Sequence, residues 1–300
     1  MNGASVITAE VLSKIKNIEL RSRKIVTEVF SGKYHSAFKG QGIEFTEVRE
    51  YAPGDDIRRI DWNVTARRGA PFIKKFQEER EQTVIFAVDL SASGLFASKN
   101  ALKRELAAEI TAVLAFAALK NNDRAGLFAF TQTPEKYLKP KKSRKHILSL
   151  IDTILSFTPK NSGTSITAAL ENLNTLWKRK ALVFLISDFK DKNFEDLLKS
   201  TSHHHDLVCI HITDPCEREL PKTGFLPLRD PESNKVAYID LSSKQTRQSY
   251  TESYSTHQNY LNGVFSGAKC DIIKISTDKP YIVEIINFFK RRMTKQTKHY

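Results

Sequence analysis

The sequence predicts an α/β protein: a doubly wound, mostly parallel sheet with helices on both faces, preceded by an N-terminal helix and an extended arm. Three observations carry that prediction. From residue 82 onward, apolar runs alternate with amphipathic stretches, as repeated βα units require. The runs are continuous, Val84-Ile85-Phe86-Ala87-Val88 and Ala181-Leu182-Val183-Phe184-Leu185-Ile186, as in parallel strands covered on both sides. Residues 33–80, by contrast, are turn-rich and charged and lack periodic apolar faces.

In chain order, residues 9–31 read as a helix, with Val11, Ile15, Ile18, Ile25, Val26 and Val29 at near-helical spacing and Gly32 as its stop. Ile43, Phe45 and Val48 suggest a short strand, and Phe72, Ile73 and Phe76 another that leads into the main sheet. Pro53-Gly54-Asp55-Asp56 marks a turn between them, followed by a helical turn around residues 58–62. Residues 83–88 form the first central strand, and Leu102, Leu106, Ile110, Val113 and Ala117 mark the core face of the next helix. A strand at Ala125–Phe130, an edge strand at 135–139, and helices at 143–156 and 165–179 follow. Further strands are expected at Ala181–Ile186, Leu207–Ile212 and Asp271–Ile275. Tyr281, Ile282, Ile285, Ile286 and Phe289 face the core from a terminal helix. Residues 220–243 interrupt the alternation with a hairpin turned at Glu232-Ser233-Asn234. The expected division is 1–80 for helix and charged arm (block 42–80), 81–293 for the α/β domain, and 294–300 for a disordered tail.

Composition narrows the class. The 300 residues are 40% apolar, enough for a real core. No stretch approaches the roughly 18 consecutive apolar residues of a membrane span. The start MNGASVITAE has neither the charged opening nor the apolar block of a signal peptide. A soluble, cytoplasmic protein is therefore expected. The three cysteines, Cys209, Cys216 and Cys270, are odd in number and lack CxxC spacing, against a disulfide framework or a zinc ribbon. The net charge of +13 raises nucleic acid, an anionic membrane face or an acidic protein as partners. The densest basic runs, Lys136 to Lys145 and Lys290 to Lys298, lack the interleaved aromatics of a base-stacking platform. Solvated faces are favoured there over nucleic acid, and peripheral membrane contact stays open.

The chemistry gathers at strand ends. Asp89-Leu90-Ser91-Ala92-Ser93 follows a buried strand and puts an oxygen at every second position. Asp188 ends another strand, and Thr164 lies in the loop that opens the 165–179 helix. In an open α/β sheet, ligands sit beyond the carboxyl ends of the strands. Asp89, Ser91, Ser93, Thr164 and Asp188 make an oxygen-only set that suits Mg²⁺, with Mn²⁺ or Ca²⁺ as alternatives. Neutral hydroxyls leave such an ion electrophilic, so an incoming carboxylate can replace a water. No His or Cys falls in these loops, against zinc. The competing reading of DxSxS is a helix N-cap.

Other chemistries find less support. A phosphotransferase of this fold needs a second acid two residues after its nucleophilic Asp, where this chain has Ser91. There is no GxSxG and no GxxxxGK[ST]. His203-His204-His205 with His211 suggests metal, but the triplet falls where a polar surface loop is expected before the strand at Leu207. In the 42–80 block, Asp55, Asp56 and Asp61 alternate with Arg49, Arg58, Arg59 and Arg67. That reads as ion pairs pinning an arm, with Trp62 as buried anchor, ahead of a second ligand site.

The DxSxS, Thr and Asp set resembles the metal-ion-dependent adhesion site of von Willebrand factor A domains. The resemblance implies serine and threonine ligation, direct or through water, with the aspartates binding largely through water. Gly42 to Phe45 (GxEF), Arg49 to Asp56 (RxYxPGDD), Arg58 to Trp62 (RxIDW) and Ala66-Arg67 look like the bacterial family catalogued as domain of unknown function fifty-eight. Asp214 to Pro221 (DPxExELP) and Asp230 to Glu232 also look familial, and the resemblance spans about residues 15–290. It implies a non-catalytic, metal-dependent interaction module working beside a MoxR-type AAA+ ATPase, chaperone-like or in metal insertion, on an unidentified client. A basic nucleic-acid-binding protein and a Mg²⁺-dependent hydrolase are the alternatives.

Overall fold

Val84 to Val88 offers no polar face to solvent, and each of its five residues is at most 1% exposed. The run lies inside a six-stranded sheet. The computed structural model describes residues 9–28, 37, 44–77, 81–96, 98, 102–161, 163–229 and 235–297. Its elements are α1 (Ala9–Glu28), β1 (Glu44–Glu50), α2 (Trp62–Arg68), β2 (Phe72–Gln77), β3 (Thr83–Asp89), α3 (Lys103–Lys120), β4 (Arg124–Phe130) and β5 (Pro134–Lys141). There follow α4 (Arg144–Ser156), α5 (Ile166–Leu176), β6 (Leu182–Ser187), α6 (Glu195–His204), β7 (Asp206–Thr213) and α7 (Pro215–Arg218). The chain continues with β8 (Phe225–Arg229), β9 (Val236–Asp240), α8 (Lys244–Ala268), β10 (Asp271–Ser276) and α9 (Tyr281–Thr297). Two units are distinguished: residues 38–82, and residues 1–37 with 83–300.

In the larger unit the sheet order is β10-β7-β6-β3-β4-β5, parallel throughout except for β5 at the edge. This is the doubly wound, mostly parallel arrangement expected. From β3 the chain runs outward through β4 and β5, then returns to β6 and runs the other way. The order thus reverses between β3 and β6, and the crevice beyond their carboxyl ends is where such sheets bind ligands.

Two helical layers cover the sheet. On one side Ile166, Leu170 and Leu173 of α5, Leu198 of α6, and Leu261 and Phe265 of α8 pack on Ile85, Ala87, Val183, Leu185 and Cys209. On the other side α3 packs on β3 and β4, and α1 and α4 pack on α3. Lying between sheet and helices, α3 is buried on nearly every side, which its alanines permit.

Most elements fall where the sequence places them, and the short α7 and two longer helices are additions. Neither α6 nor α8 is among the expected helices. The 25 residues of α8 bury only Leu261, Val264, Phe265 and Ala268, all near its C-terminal end, so its first turns carry no apolar stripe. The hairpin is β8 paired antiparallel with β9, and its turn lies outside the described residues. So do residues 29–36, where α1 was expected to end, and residues 298–300, while α9 runs past residue 294. No helix among the described residues is long and apolar enough to cross a membrane.

In the smaller unit β1 pairs antiparallel with β2 in a sheet of their own, not as a lead into the main one. Here the acidic residues act mainly on the backbone. Asp56 accepts from Arg58 N–H at 3.0 Å, capping a 3₁₀ turn at Ile57–Arg59. Asp61 accepts from Asn63 and Val64 N–H at 3.0 and 3.3 Å, capping α2. Asp55 does pair with Arg49, through both carboxylate oxygens at 2.7 and 2.8 Å. The expectation for Trp62 is overturned: it is 70% exposed. As the first residue of a seven-residue helix that buries none of its side chains, it has no core to enter.

Candidate metal centre

The residue that ends β3 builds the loop after it. Asp89 Oδ1 accepts from Ser91 N–H at 2.9 Å, folding the chain back, and Ser91 leads into a 3₁₀ turn at Ala92–Leu95. Asp89 Oδ2 accepts from Ser187 Oγ, at the end of β6, at 2.7 Å. The Ser91 and Ser93 hydroxyls lie 3.0 Å apart, both buried. Asp188 follows Ser187, is 6% exposed, and receives the Lys103 ammonium from the first turn of α3 at 2.9 Å on Oδ2. Asp89, Ser91, Ser93, Lys103, Ser187 and Asp188 line one cavity of about 20 Å³ at the strand-order reversal.

Four of the five expected oxygens thus converge. Thr164 does not line this cavity. It is half-buried, in a loop tied to the end of β4 by Ser165 N–H on Thr131 O at 3.0 Å. The N-cap alternative for DxSxS is not met, because Ser91 precedes its 3₁₀ turn without a side-chain cap hydrogen bond. The residue that caps a helix here is Ser165, next to Thr164, which accepts from Ala168 N–H at 3.2 Å at the start of α5.

The electrostatics of the two aspartates diverge. Burial, and then the neighbouring Asp188 charge, push the Asp89 carboxyl up to about 6, against hydrogen bonds from Ser187 and Ser91 that favour its ionised form. Burial also acts to raise Asp188, but the charges of Lys103 and Lys190 and hydrogen bonds from Lys103 and Ser93 outweigh it, holding the carboxyl below its ordinary value. A buried carboxylate beside a half-buried one is costly without a cation between or beside them. Lys103 is that cation here.

The oxygen donors fit a hard divalent ion. Among the described residues no three or more His, Cys, Asp or Glu side chains gather as a metal cluster, so serine hydroxyls have to be part of the ligand set. The cavity holds about one water-sized group. A Mg²⁺ ion keeping several waters therefore needs the space next to Asp188 that the Lys103 ammonium borders.

Sequence reasoning missed Lys103, Ser187 and Glu217. Glu217 Oε1 accepts from Lys103 Nζ and, at 2.6 Å, from Lys190 Nζ. Its other oxygen accepts from Asp214 N–H at 3.0 Å, closing a capping box over α7. The DPxE motif is thus a device that presents Glu217 to Lys103. One signal was legible: Lys103-Arg104 puts two cations in the first turn of a helix, where the macrodipole disfavours them. Both are buried; Arg104 spends its guanidinium on the carbonyls of Ile154 (2.5 Å) and Phe157 at the end of α4.

His203 and His204 are exposed, as expected, but on a helix and not in a loop, while His205 and His211 are buried. His203 and His204 close α6, and His205 is its C-cap, 1% exposed, accepting from Ala181 N–H at 3.3 Å. His211 lies inside β7, 2% exposed, edge-on to Phe189 at 5.7 Å between ring centroids. Burial pushes its imidazole down to about 4. It lines a larger cleft of about 580 Å³ that shares Asp188 and Glu217 with the small cavity's surroundings and is walled by Tyr250, Tyr254 and His257.

Comparison with known proteins gives a family and several relatives. A family model described as "Protein of unknown function DUF58" matches residues 47–260. Uncharacterized protein Rv1480 of Mycobacterium tuberculosis is 26% identical over 286 residues, 94% of this chain and 90% of its own length. Uncharacterized protein YeaD of Bacillus subtilis is 32% identical over 80 residues, 27% of this chain and 18% of its own. Among solved structures, an aerotolerance-related membrane protein from Bacteroides fragilis covers 71% of this chain and 99% of its own, with TM-score 0.47 and 16% identity. Proximal thread matrix protein 1 from mussel byssus, with a zinc-occupied MIDAS motif, covers 44% of this chain and 38% of its own, with TM-score 0.35 and 15% identity.

Proposed function

The chain belongs to the DUF58 family, and from that membership and the rim beyond β3 and β6 we propose that it is a non-catalytic, metal-dependent protein-interaction module. Asp89, Ser91, Ser93 and Asp188 would hold the ion in this reading, and Mg²⁺ is the ion proposed. Thr164, which does not line the cavity, would join them only through a bridging water. The observation that carries it is the convergence of the buried Asp188 carboxylate, the half-buried Asp89 carboxylate and two buried hydroxyls on one cavity at the strand-order reversal. Bound there, the ion would supply an electrophilic position for a carboxylate of the partner.

The residues around it do the remaining work. Ser187 and the Ser91 backbone fix both oxygens of Asp89, so the loop is set before anything binds. The tyrosine-walled cleft beside Asp188 is large enough for the side chains that flank a partner's acid. A MoxR-type AAA+ ATPase and its client are the partners proposed, in the cytoplasm, on the strength of the PGDD-to-DW block that resembles the family's. The same reading makes the protein an adaptor and not an enzyme.

The test is binding. Mn²⁺ or Mg²⁺ titrated calorimetrically into the full chain should saturate at one ion per chain, and Asp89→Asn should abolish the heat while leaving the fold intact. Asparagine keeps an oxygen for Ser91 N–H, so loop geometry is not the variable. Capture of an AAA+ ATPase from a lysate of the source cell should require Mg²⁺ and fail with Asp89→Asn. Equal capture in EDTA sinks the metal-dependent reading.

A further inference from the structure

Lys103 is the feature that an oxygen-only ligand set does not call for. Its side chain is 4% exposed, and its ammonium bridges two carboxylates from distant parts of the chain, Asp188 at 2.9 Å and Glu217. Asp188 is a proposed metal ligand; Glu217 is not, and belongs to the α7 capping box. Lys103 therefore has two seats, one inside the candidate metal centre and one outside it. Glu217 is held from three sides, by Lys103, by Lys190 and by Asp214 N–H, so the outer seat is preformed.

We propose, resting on the metal reading above, that Lys103 is a built-in cation that occupies the acid of the metal centre and yields it by withdrawing onto Glu217. Without the ion, the ammonium neutralises the buried Asp188 and permits it to lie beside the half-buried Asp89. When the ion is taken up, the Asp188 oxygen is released and Lys103 keeps one full ion pair, so no charge is left buried alone. Lys103 thus sets how tightly the centre holds its ion, and Glu217 positions Lys103. After a full exchange the ion's two positive charges stand against Asp89 and Asp188, and the Lys103 charge stands against Glu217. The device also accounts for the cation in the first turn of α3 and for the acid in DPxE.

A double-mutant cycle on the full chain tests this, with Mg²⁺ as the calorimetric titrant. Lys103→Met, a volume-conserving change, should bind Mg²⁺ about tenfold or more tighter, the gain expected from freeing one charge-assisted hydrogen bond. Glu217→Gln should weaken Mg²⁺ about threefold to tenfold in the wild-type background, because Lys103 loses its outer seat. In the Lys103→Met background the same Glu217→Gln change should have almost no effect. An equal factor in both backgrounds means a plain charge effect and overturns the exchange, as does unchanged or weaker binding by Lys103→Met. If neither wild type nor any variant binds the ion, the metal reading itself falls, and the exchange with it. Should Lys103→Met fail to fold, wild-type protein labelled with ¹⁵N-lysine gives a second measurement. The buried ammonium resonance should shift as Mg²⁺ is added, and ion binding with that resonance unmoved overturns the proposal.

Discussion

At the scale of single residues, polar groups that have left water decide most of the behaviour. His205 is one: burial, and then the charge of His204, push its imidazole down to about 4. Its Nδ1 accepts from Ala181 N–H, and its Nε2 is buried with no hydrogen-bond partner among the described residues. The folded-state value lies below the unfolded value of about 6.5. The stability that a neutral His205 confers is therefore fully present above about pH 6.5 and is lost as pH falls toward about 4. The loss amounts to at most about 3 kcal/mol. His205→Asn, which keeps an acceptor for Ala181 N–H, should make urea-unfolding free energies less steep between those pH values, at some cost at pH 7. An unchanged slope would show that His205 titrates normally. Asp89, Ser91 and Ser93 could be picked out from spacing alone, since each lies a fixed step beyond a strand end. Ser187 and Lys103 could not, because what makes them matter is whom they meet, 85 positions apart in the pair of Lys103 with Asp188.

At the scale of elements, β5 shows how composition misleads. Its lysines, Lys136, Lys139 and Lys141, belong to the densest basic run, which had raised nucleic acid as a partner. The strand is the antiparallel edge of the sheet, where lysine and proline protect an open hydrogen-bonding rim from pairing with other chains. Its join to β4 is tight, and the register shifts between Ala125 and Leu127. A Cβ on Gly126 would stand 2.8 Å from Pro140 Cγ and 2.9 Å from Leu138 O. Gly126→Ala should therefore cost about 1–3 kcal/mol of stability, typical of overpacking. Urea denaturation measures it, and a neutral result would mean the β4–β5 join relaxes freely. The helices were legible to the degree that they bury a stripe. α4 shows one, while α8 buries residues only near one end and escaped notice.

At the scale of the whole molecule, α1 belongs to the same unit as the sheet, although 54 residues of sequence separate Glu28 from Thr83. Ile15, Ile18 and Val26 are buried, and the Glu19 carboxylate meets Arg144 of α4 at 2.9 Å. Removing residues 1–28 should cost on the order of 5 kcal/mol, an upper figure from the apolar side chains it uncovers. A urea-unfolding midpoint that does not move would show α1 to be dispensable to this unit. The sequence by itself determined the alternation of strands and helices, the sheet's central strands and the oxygen spacing of DxSxS, because periodicity records which residues must leave water. Only the tertiary structure decided that Lys103 and Glu217, 114 positions apart, share one ion pair beside Asp188. It also decided that Trp62 stays in solvent and that Thr164 is not among the residues lining the cavity. Burial is written locally in a chain, residue by residue, whereas the partner of a buried charge is chosen by packing between segments whose separation no local pattern encodes.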